Sequence, residues 1–195
     1  DFSILPAALI DELAATSPGD DLHEQTSGVV NRGYRVLVDQ GDRLAPVLAM
    51  LAATASPAPD RPSQEAFDQV LSDFWYHCVW TSRKVRRGEL AVAHECLEGT
   101  QRHLLLTMIR WLGSRDADTW HGMRFFERWA PEAVQERYAR TFARHDAADI
   151  RRALAEMMDL VNWLATELAE AFALEVDARP EHAARGWVQQ ALVAS

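Results

Sequence analysis

The chain has 195 residues, of which 48% are hydrophobic, so it is long enough to bury a sizeable core. Its net charge of −9 argues against a nucleic-acid-binding surface and is compatible with a polycationic small molecule as a ligand. No run of apolar residues is long enough to span a bilayer, and we expect no membrane partner. The two cysteines, Cys78 and Cys96, argue against a disulfide framework and favour a reducing, cytoplasmic location.

Residues 1–53 are predicted to form part of an α/β unit. The alternating segments 1–5 and 34–38 are typical of short strands, and a helix from Pro6 to Ala14 and a polar loop lie between them. The segment 44–53 fits a short helix or an extended connector. Residues 54–62 contain three prolines, which lack an N–H donor and disfavour helix, and are predicted to be a linker.

Residues 63–195 are predicted to be helical throughout. Every predicted helix except the last has a start or stop signal in the sequence, which is a capping side chain, a glycine or a proline. The predicted helices run from Ser63 to Arg87 with Gly88 as the stop, from Glu89 to Leu112, from Thr119 to Trp129, onward from Pro131, from Asp146 to Leu174, and from Glu181 to Ala194. Short connections between helices predict a mainly α fold in which an antiparallel bundle follows the α/β part.

The segment Asp73–Leu90 is the most informative, because it combines aromatic residues with cations on a single helix. An apolar stripe runs along one face, and the aromatic and basic residues fall on the flanking and opposite faces. The stripe is Phe67, Val70, Leu71, Phe74 and Cys78, and the other residues are Trp75, Tyr76, Trp80, Arg83, Lys84 and Arg87. Such residues can hold a phosphate beside a flat ring, or can simply complement the dipole of their own helix.

The order Phe74-Trp75-Tyr76, then Arg83-Lys84, then Arg87-Gly88-Glu89-Leu90 resembles a known family. It is similar to the helical C-terminal half of bacterial antibiotic nucleotidyltransferases, especially the aminoglycoside 6-adenylyltransferase (streptomycin adenylyltransferase) family and its lincosamide-modifying relatives. The resemblance continues through 104–113, 124–131 and 157–160, and covers about residues 63–177.

This resemblance implies transfer of AMP from Mg²⁺-ATP to a hydroxyl of an aminoglycoside or lincosamide. Members of the superfamily carry a Gly-Ser turn, an Asp-x-Asp pair and a third acid on a small α/β domain. Residues 1–62 contain no Gly-Ser turn leading into such a pair, and the opening Asp1-Phe-Ser-Ile-Leu resembles the strand of the third acid. We therefore expect the chain to be a fragment in which residues 1–53 are the remnant of the nucleotidyltransferase domain and Asp1 is a catalytic, metal-binding carboxylate. The alternative is that Asp1 is an exposed terminal residue.

The resemblance assigns the remaining roles to the helical part, residues 63–195. Arg83, Lys84 and Arg87 are expected to hold the phosphates of ATP. The expected acceptor-binding residues are Trp75, Tyr76, Trp80, Glu89, Glu95 and Asp159. Because Asp159 lies between Met158 and Leu160, we expect it to contact substrate or to form an internal ion pair with a helix-borne arginine, and we favour the ion pair.

Other interpretations change the function but keep a helical fold. One is a nucleotidyltransferase with a different small-molecule acceptor, and another is a non-catalytic helical module for ligand binding or dimerisation, so a homodimer stays open. A zinc site at His77, Cys78, His94 and Cys96 is disfavoured, since adjacent helical residues point about 100° apart.

The assignment of Asp1 can be tested in the full-length protein. Asp1→Asn is expected to abolish turnover and to leave the thermal midpoint nearly unchanged, because the lost metal contact acts on the transition state. Steady-state kinetics and thermal unfolding of the same preparations measure the two effects. Full activity of the variant would remove Asp1 from the site.

Overall fold

The computed structural model describes residues 3–54, 61–119 and 122–193, and the chain divides into two compact units, Asp1–Ala58 and Pro59–Ser195. Asp1 and residues 55–60 of the predicted linker lie outside the described residues. The unit boundary falls inside the predicted linker 54–62, and the assignment of 1–53 as a nucleotidyltransferase remnant stays a prediction. No helix among the described residues is long and apolar enough to cross a membrane.

All regular secondary structure in the described residues is helical, which confirms the predicted mainly α fold. The predicted strands are not formed, because 3–5 and 34–38 are irregular. A strand needs a partner to accept and donate its ladder hydrogen bonds, and neither segment pairs with another segment of the described chain. Alternation of apolar residues indicates extended backbone and does not by itself supply a partner.

The first unit contains three short helices, α1 (Ala7–Ala14), α2 (Asp21–Val30) and α3 (Leu44–Ala52). Helix α2 replaces the loop predicted there; Asp21 and Glu24 in its first turn complement the positive end of its dipole. Its buried His23 has Nδ1 3.0 Å from Thr16 Oγ1 and Nε2 2.7 Å from Thr54 Oγ1. The small apolar core of the unit consists of Leu13, Val30, Val47 and Leu51.

The second unit contains the remaining helices. They are α4 (Gln64–Arg86), α5 (Leu90–Cys96), a π-helical turn (Leu97–Gln101), α6 (Arg102–Gly113), α7 (Phe126–Trp129), α8 (Glu132–Arg140), α9 (Ala147–Phe172) and α10 (Arg179–Val193). The caps predicted at Ser63 and Asp146 are confirmed, whereas the helix predicted from Thr119 is wrong, because α7 begins only at Phe126 and Phe125 occupies its N-cap position. Ser63 Oγ accepts a 3.1 Å bond from the Ala66 N–H, and Asp146 Oδ1 accepts a 2.9 Å bond from the Asp149 N–H. Gly88, at φ +74°, follows the end of α4.

Helices α4, α5–α6, α9 and α10 form the predicted bundle, in which consecutive hairpin partners are antiparallel. Thr81 on α4 donates to Gln101 on the π-helical turn, and Asp159 on α9 pairs with Arg185 on α10. Residues 114–146, with α7 and α8, cross over between the two hairpins. The crossover leaves α10 parallel to α4, since Gln64 contacts Glu175 near the start of both helices and Arg83 contacts Trp187 near their ends.

The apolar stripe predicted on α4 lies in the core of this bundle. Phe67, Phe74 and Cys78 are fully buried, and they pack with side chains from α6, α9 and α10. The largest fully buried side chains from the other elements of the second unit come from the π-helical turn, α6 and α9, and are Leu97, Leu105, Met108, Ile109, Ile150, Leu154, Met157, Leu160 and Leu164. Burial of a stripe from each helix fixes which face each helix leaves exposed.

A buried arginine joins α6 to the chain that follows α8. Arg102 is 6% exposed, and its Nη2 lies 2.8 Å from Glu98 Oε2 and donates to the Thr141 carbonyl at 3.1 Å. Its guanidinium also lies over the rings of Phe142, at 4.0 Å, and Tyr138, at 5.1 Å. Arg102 is therefore a neutralised structural cation, and it holds the segment before α9 against α6.

The contact between Gly113 and Trp129 generates a stability prediction. A Cβ atom at Gly113 would lie 2.5 Å from the Trp129 ring, so Gly113→Ala is expected to destabilise the protein by about 1–3 kcal/mol through overpacking. Urea unfolding measures the change. Gly186→Ala is the matched control, because a Cβ there meets no atom within 4 Å and alanine should add ~0.5–1 kcal/mol of stability in a helix. Equal stabilities for the two variants would contradict this packing.

Candidate functional site

The C-terminal end of α4 lies beside α10 and forms a cleft with it. The cleft, which we call the basic cleft, has a volume of about 190 Å³ and is lined by Arg83, Arg86, Arg87, Trp187, Gln190 and Ala191. The three arginines lie at the C-terminal end of α4 and the other three residues lie on α10. In each set the second and third residues follow the first by three and four positions, so all three lie on one helical face. Because α4 and α10 run in the same direction, both faces meet at one end of the bundle. The basic cleft thus contains two of the three predicted phosphate-binding residues, Arg83 and Arg87.

The positive charge of the basic cleft is only partly balanced. Arg87 Nη1 lies 3.7 Å from Glu89 Oε1, while the Arg83 guanidinium lies 5.7 Å from the centre of the Trp187 ring. Among the described residues, no carboxylate lies within 4.0 Å of Arg83 or Arg86. An excess of cations on a chain of net charge −9 is an attractive site for an anion.

Lys84, the third predicted phosphate ligand, does not line the basic cleft. Its Nζ lies 2.6 Å from Glu89 Oε2 and 5.1 Å from the centre of the Trp80 ring. The hydrogen bond from Lys84 lowers the pKa of Glu89 below its ordinary value, and the nearby charges of Lys84 and Arg87 act in the same direction. Lys84, Glu89 and Trp80 therefore form a separate cluster, which contains two of the predicted acceptor-binding residues.

Neither the basic cleft nor the other cleft described below contains any of the predicted acceptor-binding residues. Trp75 is 4% exposed and belongs to the core, where its ring lies edge-on to Phe74. Tyr76, the next residue, is 64% exposed, and Glu95 on α5 is exposed. None of the six predicted residues lines the basic cleft.

Asp159 forms an ion pair with a helix-borne arginine, but the pair lies at the surface. Its Oδ1 is 2.8 Å from Arg185 Nη1, and the Asp159 side chain is 63% exposed. The expectation that its neighbours Met158 and Leu160 bury it is wrong, because adjacent helical residues point in different directions and only those two face the core. Arg185 also pairs with Glu181 at 2.8 Å.

A second cleft, of about 430 Å³, lies after α6 and is lined by Asp116, Ala117, Asp118, Arg124, Phe125, Arg128 and Trp129. Phe125 has a left-handed backbone, with φ +58°, and its ring contacts two guanidinium groups, those of Arg124 at 4.9 Å and Arg128 at 4.7 Å. Four of its seven lining residues fall in the resembling segment 124–131. Its acids and bases are equal in number, so its charge does not select a ligand.

Reasoning from the sequence missed Arg86, Trp187 and Gln190 as residues of the basic cleft. Arg86 was overlooked although it lies inside the run from Arg83 to Arg87. Trp187 carried a usable signal, since it falls outside the apolar stripe of Ala184, Val188 and Ala191 on the last helix. A large aromatic residue off the buried stripe of an amphipathic helix indicates a surface contact.

No group of three or more His, Cys, Asp or Glu side chains among the described residues is placed to hold a metal ion. Asp1, the predicted metal ligand, lies outside the described residues. Burial raises the pKa of the Cys78 thiol well above its ordinary value, so this cysteine stays a protonated core residue.

Comparison with known sequences decides the family. The sequence model of the family described as streptomycin adenylyltransferase matches residues 1–191. The chain belongs to this family. The resemblance noted from the motifs of α4, α6, the α7 region and α9 is thus confirmed, and it extends over the first unit as well.

A solved structure supports the fold of this family member. The chain is similar to an aminoglycoside 6-adenyltransferase from Bacillus subtilis, with a TM-score of 0.62 and 17% sequence identity over 68% of this chain and 52% of that one. The chain therefore spans about half the length of that structure, and identity this low establishes a shared fold alone. No curated protein sequence matches the chain.

The Lys84–Glu89 pair makes a prediction about pH. Lys84→Gln should raise the pKa of Glu89 towards its ordinary value, because the hydrogen bond that favours the carboxylate is lost. Since the folded pKa is lowered, the pair contributes stability above about pH 4.3, the unfolded value, and loses it as the pH falls through the folded value. Carboxyl-carbon NMR titration measures the shift.

Asp177 is the internal control for this titration. Hydrogen bonds from Arg179 lower its pKa to about 2, and Lys84 is not involved. Its titration should be identical in the wild-type protein and in Lys84→Gln. A Glu89 titration that also stays unchanged would show that Lys84 does not hold the carboxylate.

Proposed function

We propose that the full-length protein is an adenylyltransferase that transfers AMP from Mg²⁺-ATP to a hydroxyl of an aminoglycoside, with a lincosamide as the alternative acceptor. The observation that carries this proposal is the family match over residues 1–191. The unbalanced positive charge at the end of α4 supports it, since a triphosphate requires cations. The use of ATP makes the cytoplasm the expected location.

Arg83, Lys84 and Arg87 have the chemistry to bind the triphosphate. Transfer of a nucleotidyl group builds charge on phosphate oxygens, and fixed cations stabilise that charge. An arginine fork donates two parallel bonds to a phosphate, whereas a lysine acts as a point charge. Arg83 and Arg87 line one cleft, whereas Lys84 would first have to release Glu89.

Magnesium, when bound, would neutralise phosphate charge and orient the leaving pyrophosphate. We assign the role of metal ligand to Asp1, which lies outside the described residues; among those residues, no group of three or more ligating side chains is placed to hold a metal ion. No other part of the proposal depends on the described residues holding the metal.

The acceptor is proposed to meet aromatic and acidic side chains of the helical unit. Tyr76 and Trp80 can cover the apolar faces of a sugar, and Glu95 can pair with its ammonium groups. Asp159 could do so only after releasing Arg185. Glu95 is exposed, and no ion pair involving it is seen among the described residues, whereas Glu89 is held by Lys84. The Trp75 side chain is 4% exposed, and we therefore assign it the role of supporting its neighbours.

The second candidate is a non-catalytic helical module that binds a small molecule. The observation that favours it is the basic cleft, which lies within the helical unit and is lined by three arginines, a tryptophan and a glutamine, with no carboxylate. On this alternative, the chain binds a nucleotide or an aminoglycoside and produces no adenylylated product.

Mass spectrometry distinguishes the two candidates. The full-length protein is incubated with Mg²⁺, ATP and a panel of aminoglycosides, lincosamides and neutral sugars, and each acceptor is weighed. A gain equal to one AMP unit, abolished by a chelator, establishes the reaction and names the acceptor. Binding of ATP or of an acceptor without any mass gain would support the module.

The acceptor assignment predicts different effects of substituting two of the expected acceptor-binding carboxylates, Glu95 and Glu89. Glu95→Gln should raise the KM for a cationic acceptor about three- to tenfold with little change in the KM for ATP, because only the acceptor's ammonium loses a partner. Glu89→Gln should change both, because it also frees Lys84. High salt should shrink the Glu95 effect, since the side chain is exposed.

Glu65→Gln is the control for charge removal, as Glu65 is exposed near the opposite end of α4. It should leave both KM values unchanged. Equal changes in the two KM values for Glu95→Gln, or none, would show that Glu95 is an ordinary surface charge.

A further inference from the structure

We propose that the basic cleft is a nucleotide site in which the indole of Trp187 stacks on the base and the arginines bind the phosphates. This inference rests on the proposed function, since it says where the helical unit would hold the nucleotide. It adds Trp187, Arg86 and Gln190, and it leaves Lys84 outside the site. Three observations carry it.

The first observation is the position of Trp187. Its side chain is 55% exposed on α10, whereas Ala184, Val188 and Ala191 supply the buried face of that helix. Trp187 is therefore not needed to fill the core. The Arg83 guanidinium lies over its ring, and the part of the side chain that stays exposed is available to a ligand. Stacking of a base on an aromatic ring buries such a surface and is tolerant of base identity.

The second observation is the set of cations around the ring. Arg83, Arg86 and Arg87 line the same cleft as Trp187, and only Arg87 among them has a carboxylate within 4.0 Å in the described part of the chain. Complementing the dipole of α4 would account for basic residues in its last turn. It would not account for an exposed tryptophan on the neighbouring helix at the same place. A flat ring beside arginine forks matches the two chemical parts of a nucleotide.

The third observation is the size and polarity of the cleft. Its volume of about 190 Å³ is below the roughly 300–1,000 Å³ of pockets that enclose a whole drug-sized ligand. We expect the base to lie against Trp187 and part of the phosphate chain against the arginines, and the rest of the nucleotide to lie in solvent. The Gln190 side chain carries both a donor and an acceptor, as the edge of a purine requires. We therefore expect weak, salt-sensitive binding.

Calorimetric titration of the full chain with ATP and with inorganic tripolyphosphate separates the roles of ring and cations. Trp187→Ala should weaken ATP binding about tenfold and leave tripolyphosphate binding unchanged, because only the base stacks. Trp187→Phe should restore most of the ATP affinity. Arg86→Gln should weaken both ligands about tenfold. Thermal unfolding confirms that each variant is folded.

Two control variants lie outside the basic cleft. Arg179→Gln removes one positive charge at the opposite end of α10, where the side chain is 91% exposed, and should change neither affinity. Lys84→Gln tests whether Lys84 lies outside the nucleotide site, and it should weaken ATP binding less than Arg86→Gln does. Equal losses of affinity in Arg179→Gln and Arg86→Gln would show that binding depends only on the net charge of the protein, and would overturn the proposal.

Failure of this inference differs from failure of the proposed function. Normal AMP transfer with an unchanged KM for ATP in Trp187→Ala would overturn the nucleotide site and leave the reaction intact. ATP binding that depends on Trp187, without AMP transfer to any acceptor, would support the site and contradict the reaction. Equal binding of tripolyphosphate and ATP, both insensitive to Trp187, would overturn the stacking role.

Discussion

The parallel packing of α10 against α4 is the contact on which the basic cleft depends. Reciprocal hydrogen bonds of 2.9 Å between the Gln64 side chain and the Glu175 backbone fix the register near the start of both helices. The small Ala184 is buried and lets α10 approach the bundle closely. A shift of one turn would move Trp187 by about 5.4 Å and separate it from Arg83. The cleft is thus a consequence of helix register, and no single segment of sequence encodes it.

Register also explains why neighbouring cations have different partners. Arg83 and Lys84 are adjacent on α4, so their side chains leave the helix about 100° apart. Arg83 faces α10, which presents Trp187, and Lys84 faces the turn after α4, which presents Glu89. Within this Arg-Lys pair, the charge of Lys84 is therefore neutralised by a carboxylate, whereas Arg83 has no carboxylate within 4.0 Å among the described residues. Similar residue types in a motif need not share a role, because the helix directs them towards different neighbours.

The local signals of the sequence predicted much of the fold. Ser63 and Asp146 cap their helices through their own side chains, and Gly88 ends α4, so the bounds of the long helices follow from residues within a turn of each end. Features that depend on distant partners were not predictable. The segment 34–38 needed a strand to pair with, and the burial of Trp75 beside the exposed Tyr76 needed knowledge of where α10 lies.

Structural residues differ from ligand-binding candidates in one respect: contacts within the fold neutralise their charge or cover their apolar surface. Arg102 is buried, and a carboxylate, a carbonyl and two aromatic rings meet its guanidinium, so its interactions are complete within the chain. Arg86 is exposed and has no carboxylate within 4.0 Å among the described residues. The two tryptophans show the same contrast, because Trp75 is buried in the core and Trp187 is exposed at the surface. Side chains whose charge or apolar surface the fold leaves uncompensated are those that can gain free energy from a ligand.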